Sequence, residues 1–199
     1  MTSFIALPDV HDHATDLRPM RFLFGEVDAV LLPGDMTNGG IVNLQALLSI
    51  IEPVNENILA VCGNMDTEQI NMALASEGLS LHRRHQMQDG IAILGCGGAL
   101  PFAGRYVFSE EELAAFLEDS LQGVPEDAPK ILVCHQPPYG ACDTARGNRV
   151  GSHAVRAFIE RVQPLIAFTG HIHEDVGIEN IGKTRVINSG PFWRSGKYA

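Results

Sequence analysis

Apolar, β-branched-rich runs punctuate the chain at residues 4–7, 27–32, 58–62, 91–94, 131–134, 165–169 and 184–187. Each is strand-length and bounded by Gly, Pro or Asn, which predicts buried strands. Between them, helical spacing of apolar positions predicts helices over 41–51, 68–77, 110–121 and 153–162. Ser109 followed by Glu110, Glu111 and Glu112 supplies an N-cap and an acidic first turn, and Ser152 precedes the last helix. Alternating strands and helices favour α/β layers. Gly95-Cys96-Gly97-Gly98 and residues 123–129 read as breaks, because apolar runs resume at once. The Gly95 cluster lacks the third glycine of a dinucleotide loop, Leu100 standing there, and reads as a tight turn. With no internal repeat or low-complexity tract, residues 1–199 read as one domain.

Composition supports a packed protein, with 45% hydrophobic and 19% charged residues. Fourteen basic against twenty-four acidic residues give a net charge of −10, which disfavours long nucleic acid but leaves room for a small anion held by metal. Residues 1–17 lack the charged and apolar regions of a signal peptide, and no apolar run approaches the roughly 18 residues of a membrane span, so a cytoplasmic location is expected. Cys62, Cys96, Cys134 and Cys142 form no CxxC pair and read as small buried residues.

Position carries the chemistry. The run at 4–7 leads into Pro8-Asp9-Val10-His11, that at 27–32 into Pro33-Gly34-Asp35, and that at 58–62 into Gly63-Asn64-Met65-Asp66. The run at 131–134 leads into His135-Gln136-Pro137-Pro138, and that at 165–169 into Gly170-His171-Ile172-His173. In an α/β sheet, C-terminal strand ends converge on the ligand crevice, so these polar groups share one place. Any one of these short motifs is weak, whereas all five in order at strand ends are hard to obtain by accident. Aspartate, histidine and an asparagine carbonyl suit divalent or trivalent first-row metals, and no thiolate is offered for structural zinc. Asp9, His11, Asp35, Asn64, His135, His171 and His173 are too many ligands for one such ion, so two ions about 3.5–4 Å apart are expected.

The ordered set DxH, GD, GNxD, His and GHxH resembles the signature of the calcineurin-like metallophosphoesterase superfamily, in particular its small bacterial and archaeal single-domain members. The resemblance spans nearly the whole chain. It implies a four-layer αββα sandwich, with one metal on Asp9, His11, Asp35 and His173 and a second on Asp35, Asn64, His135 and His171, Asp35 bridging. The expected reaction is hydrolysis of a small phosphate ester by a metal-bridging hydroxide, with Asn64 stabilising phosphoryl charge and Asp66 orienting groups around the second metal. Mn, Fe, Zn and Ni all accept these ligands, Mn being favoured in vitro.

Two departures from the family pattern matter. Many members carry a histidine after the Asn of the GNxD block, taken to protonate the leaving group; here Met65 stands there. Loss of a general acid lowers rates by about 10²–10⁴, which tilts the expectation toward activated phosphodiesters. Asp12-His13 replaces the usual Gly-Asn, and His13 is either a replacement acid or a solvated loop residue. Arg146 and Arg149 are candidate phosphate clamps and Tyr139 a candidate pocket residue, while His82, Arg83, Arg84 and His85 read as a solvated face and His153 as structural. The alternatives are a phosphomonoesterase or protein phosphatase and a metal-binding scaffold with little catalysis. Oligomeric state is open.

Overall fold

The computed structural model describes residues 2–199. Strands β1 (Phe4–Ala6), β2 (Ala29–Pro33) and β3 (Ile58–Val61) form a parallel sheet in that order. A second, mixed sheet comprises β4 (His85–Gln88), β5 (Ile91–Cys96), β6 (Lys130–Cys134), β9 (Ile166–Thr169), β10 (Gly177–Ile181) and β11 (Thr184–Asn188) in the order β10-β11-β9-β6-β5-β4. Its centre is parallel, and β4 and β10 pair antiparallel at the edges. Strands β7 (Thr144–Ala145) and β8 (Asn148–Arg149) make a small separate hairpin.

The sheets stack because their strands alternate between two apolar layers. Leu31, Leu59 and Val61 of the first sheet meet Ile93, Ile131, Val133 and Phe168 of the second in a shared core. The opposite faces are covered by helices. Val30, Leu32, Ile58 and Ala60 pack on α1 (Arg21–Phe24), α2 (Ile41–Ile51) and α3 (Glu68–Ser76). Leu94, Leu132, Ala167 and Val186 pack on α4 (Glu110–Leu121) and α5 (His153–Val162), while α6 (Phe192–Ser195) follows β11. The result is the four-layer αββα arrangement. Each fully buried Leu or Ile contributes roughly 1.5–3 kcal/mol, and this apolar surplus supports the charged loops at the strand ends.

Local signals explain the helix starts. Ser109 accepts from the Glu112 N–H while Glu112 accepts from the Ser109 N–H, a capping box, and Thr67 and Ser152 cap α3 and α5. The reading of Gly95–Cys96 as a turn is corrected: both lie in β5, where a Cβ on Gly95 would stand 2.3 Å from Leu81 Cβ. All four cysteines are buried and free. Among the described residues, no helix is long and apolar enough to cross a membrane.

Candidate metal centre

The loops after β1, β2, β3, β6 and β9 bring Asp9 and His11, Asp35, Asn64, His135, and His171 and His173 to one edge of the stacked sheets. The loop backbones interlock. The Asp9 N–H donates to Gly34 O, His11 N–H to Asp35 O, and Gly170 N–H to His135 O. Glycines precede the donors because the donors need the space: a Cβ on Gly63 would lie 2.2 Å from Asp35 Oδ1, and one on Gly170 would lie 2.7 Å from Asp9 Oδ2. Asp9, His11, Asp35 and His171 all adopt positive φ, between 47° and 67°. Such backbone costs about 1–3 kcal/mol per residue and persists only where its surroundings over-determine it.

Hydrogen bonds at the outer atoms turn His11 Nε2, His135 Nε2 and Asp35 Oδ2 toward a common interior. The Asn38 amide donates to Asp12 Oδ2 at 2.9 Å, so its Oδ1 accepts from His11 Nδ1 at 3.1 Å. His11 Nε2 then faces His173 Nε2 at 3.3 Å and Asp35 Oδ2 at 3.5 Å. His135 Nδ1 donates to the Pro33 carbonyl at 2.9 Å, turning Nε2 toward Asn64 Oδ1 at 3.0 Å and Asp35 Oδ2 at 3.5 Å. Asp35 Oδ1 is occupied by the Met65 N–H at 2.7 Å, which leaves Oδ2 between the two imidazoles. Asp9 accepts the His171 N–H and lies 3.5 Å from His173 Nε2, and the His171 ring packs edge-on to His135. Donor atoms of Asp9, His11 and His173 fall within 4.8 Å of one another, as do those of Asp9, Asp35 and His135.

The electrostatics ask for a cation. Burial, joined by the charge of Asp9, pushes the Asp35 carboxyl up to about 7 despite the pull of His11 and the Met65 N–H. Burial also works to raise Asp9, but the hydrogen bond to His173 and the nearby imidazoles outweigh it and hold Asp9 below the ordinary carboxylate value. Burial lowers His135, and burial with the field of His135 takes His171 down to about 3, so both present neutral nitrogen. Facing lone pairs beside two buried carboxylates are stabilised by positive charge placed among them, and the donor set fits oxygen- and nitrogen-loving metal ions.

Asp66 does something different from the donors. Its fully buried carboxylate accepts from the N–H groups of Gly63, Thr37 and Met36 and from Thr37 Oγ1, lacing the Asp35 loop to the Asn64 loop. Met65 is half-buried beside it. His13 stacks on Trp193 with ring centroids 5.0 Å apart and pairs with Asp16 at 3.5 Å, outside the donor set.

Arg149 is engaged by the buried Asp143 at 2.6 Å, and Arg146 sits on the β7–β8 turn with its N–H on Glu174. Tyr139 stacks on His153 at 4.2 Å. The solvated-face reading fails for His82, which packs among Tyr106, Phe108 and Phe116; burial, with the charge of Arg83, takes it down to about 4.

Three contributors carry no sequence signature. Asn38 orients His11, the Ala103 carbonyl accepts from Asn64 Nδ2 at 3.1 Å, and the Arg105 N–H donates to Asn64 O at 2.7 Å.

The pattern of the calcineurin-like phosphoesterase family matches residues 2–175. An uncharacterized protein of Methanocaldococcus jannaschii is 32% identical over 178 residues, spanning 82% of this chain and 78% of that relative. The crystal structure of TT1561 of Thermus thermophilus superposes with a TM-score of 0.73 at 19% identity, covering 98% of this chain and 96% of that one. A 5'-nucleotidase from Candida albicans gives 0.58 at 14% identity, covering 95% of this chain and 45% of that one. These two structural likenesses speak to fold. With a matched stretch that opens before Asp9 and closes after His173, the chain belongs to the calcineurin-like phosphoesterase family of metal-dependent phosphoesterases.

Proposed function

We propose that the chain is a phosphodiesterase working with two metal ions, one held by Asp9, His11, Asp35 and His173 and the other by Asp35, Asn64, His135 and His171. The observation that carries this reading is Asp35 Oδ2, which stands 3.5 Å from both His11 Nε2 and His135 Nε2 while its partner oxygen is tied to Met65 N–H. That geometry suits a carboxylate shared between two ions. When bound, such a pair supplies Lewis acidity at phosphorus and lowers the pKa of water toward neutrality.

The chain's own residues do the rest. Asn38 and Pro33 fix the tautomers of His11 and His135, and Asp66 sets the spacing of the Asp35 and Asn64 loops. The Asn64 amide is aimed by Ala103. Met65 offers no proton to a departing alkoxide, so esters whose leaving groups need little protonation suit the site, and activated diesters fit that description. The substrate is a small phosphate ester, and manganese is the metal for trial in vitro. A cytoplasmic location belongs to the same reading.

The test loads the full chain with Mn²⁺ and compares an aryl phosphodiester with the corresponding aryl monoester. A higher kcat/KM on the diester is expected. Preference for the monoester turns the reading to a phosphomonoesterase, and two bound metals without hydrolysis of either turn it to a scaffold.

A further inference from the structure

An anionic ester must approach two buried carboxylates in a chain of net charge −10, so a local cation at the rim matters to binding. Arg149 is committed to Asp143, and the Arg146 main chain is tied to Glu174. The loop that passes over Asn64 carries another arginine. Asn64 Nδ2 donates to Ala103 O, and Asn64 O accepts from both Arg105 N–H at 2.7 Å and Tyr106 N–H at 3.2 Å. Gly104, at φ +93°, lets the loop come this close, since a Cβ there would stand 2.2 Å from Asn64 O.

From that anchor the Arg105 side chain crosses to the opposite loop. Its Nη1 donates to Asn38 O at 3.4 Å and lies over Gly39, where a Cβ would meet it at 2.3 Å. Asn38 is the residue that holds His11, so the guanidinium links the supports of a donor proposed for each of the two ions. Arg105 is exposed, and among the described residues no carboxylate lies within ion-pair distance of it. One carbonyl uses one of its five N–H donors and leaves a fork suited to two oxygens of a phosphoryl group.

We infer that Arg105 is the phosphoryl-binding cation of this site; the inference rests on the phosphoesterase reading above. The loop backbone positions the Asn64 amide, and the side chain contacts the substrate's non-bridging oxygens. Because those backbone bonds survive a side-chain substitution, metal loading and phosphate recognition separate.

Arg105→Ala, Arg105→Lys and, as a charge-matched control on α5, Arg161→Ala are prepared as full chains loaded with Mn²⁺. Inorganic phosphate affinity is measured by calorimetry, metal content by elemental analysis, and KM and kcat on an aryl phosphodiester. For Arg105→Ala, phosphate affinity is expected to fall about tenfold or more, the effect of losing a charge-assisted bond, and KM to rise in parallel, with metal content unchanged. Lysine recovers part of the loss, since it keeps the charge without the fork. Arg161→Ala leaves phosphate affinity as it was. Phosphate affinity and KM unchanged in Arg105→Ala overturn the inference, as does loss of metal, which would make Arg105 a structural residue. Phosphate binding that depends on Arg105 in a chain hydrolysing no ester supports the inference and overturns the phosphoesterase reading instead.

Discussion

The two stacked sheets bring unlike chemistry to the same centre. Strands β1, β2 and β3 end in Asp9, His11, Asp35 and Asn64, so both carboxylates and the amide come from the three-stranded sheet. Strands β6 and β9 end in His135, His171 and His173, imidazoles alone. The difference follows from burial. A neutral imidazole needs one partner for its N–H, as Pro33 provides for His135, and then sits in the interior at little cost. A carboxylate pair does not, and its repulsion is relieved only by a cation or a proton. On the proposed assignment, the three-stranded half would decide whether metal binds, and the six-stranded half would refine how.

The sharpest way to break this asymmetry is to remove one donor from each half. Asp35→Ala is expected to lose both ions and at least about 10³-fold in kcat/KM, because the preorganised charge that stabilises the transition state goes with them. His171→Ala is expected to keep one ion and lose less. Elemental analysis with kinetics reads both, and equal losses would erase the distinction between the halves.

A smaller effect separates them by pH. The Asp35 carboxyl, raised to about 7 in the metal-free protein, must give up its proton to coordinate, whereas His171, lowered to about 3, is already neutral. His173, raised above the ordinary imidazole value chiefly by its hydrogen bond to Asp9, must also lose a proton, so metal affinity is expected to fall at least about tenfold per unit as pH drops below 7. The sign for metal-free stability runs the other way at Asp35. Its raised value stabilises the fold most below the unfolded value of 3.8, and that stability is lost as pH rises through about 7. Neutral His171 opposes this, adding stability as pH rises from about 3 to 6.5. Calorimetric titrations of metal between pH 5.5 and 8.5, roughly bracketing the Asp35 value, test the first statement; an affinity that holds constant down to pH 5.5 would overturn it.

The smallest expected change concerns the lacing within the three-stranded half. Asp66→Asn turns an amide N–H₂ against groups that themselves donate, and a stability loss of about 1–3 kcal/mol is expected. Urea denaturation measures it. No loss would mean that the sheets alone hold the Asp35 and Asn64 loops.

Much of this centre was legible because buried parallel strands read as uninterrupted apolar runs, and their C-terminal ends are where chemistry collects. The antiparallel edge strands of the six-stranded sheet give no such run. Strand β4 spells His-Gln-Met-Gln, and β10 is largely exposed, so neither stood out. Asn38, Ala103 and Arg105 escaped because their roles arise where separate loops meet, a relation that spacing along the chain does not encode. His82 misled for the same reason, its polar neighbours in sequence masking the aromatic rings that enclose it. Asp66 was recognised as a support, but the four donors converging on it come from two loops some thirty residues apart.

The left-handed turns at Asp9, His11, Asp35 and His171 bear on how one ion replaces another. Donors on supple backbone reshape themselves around each newcomer and discriminate little between radii. Donors wedged in place by twisted main chain and close glycine contacts form a mould of fixed bore. Ions of similar size would then compete on abundance, so the growth medium, more than the polypeptide, is expected to set the metal inventory of the purified protein.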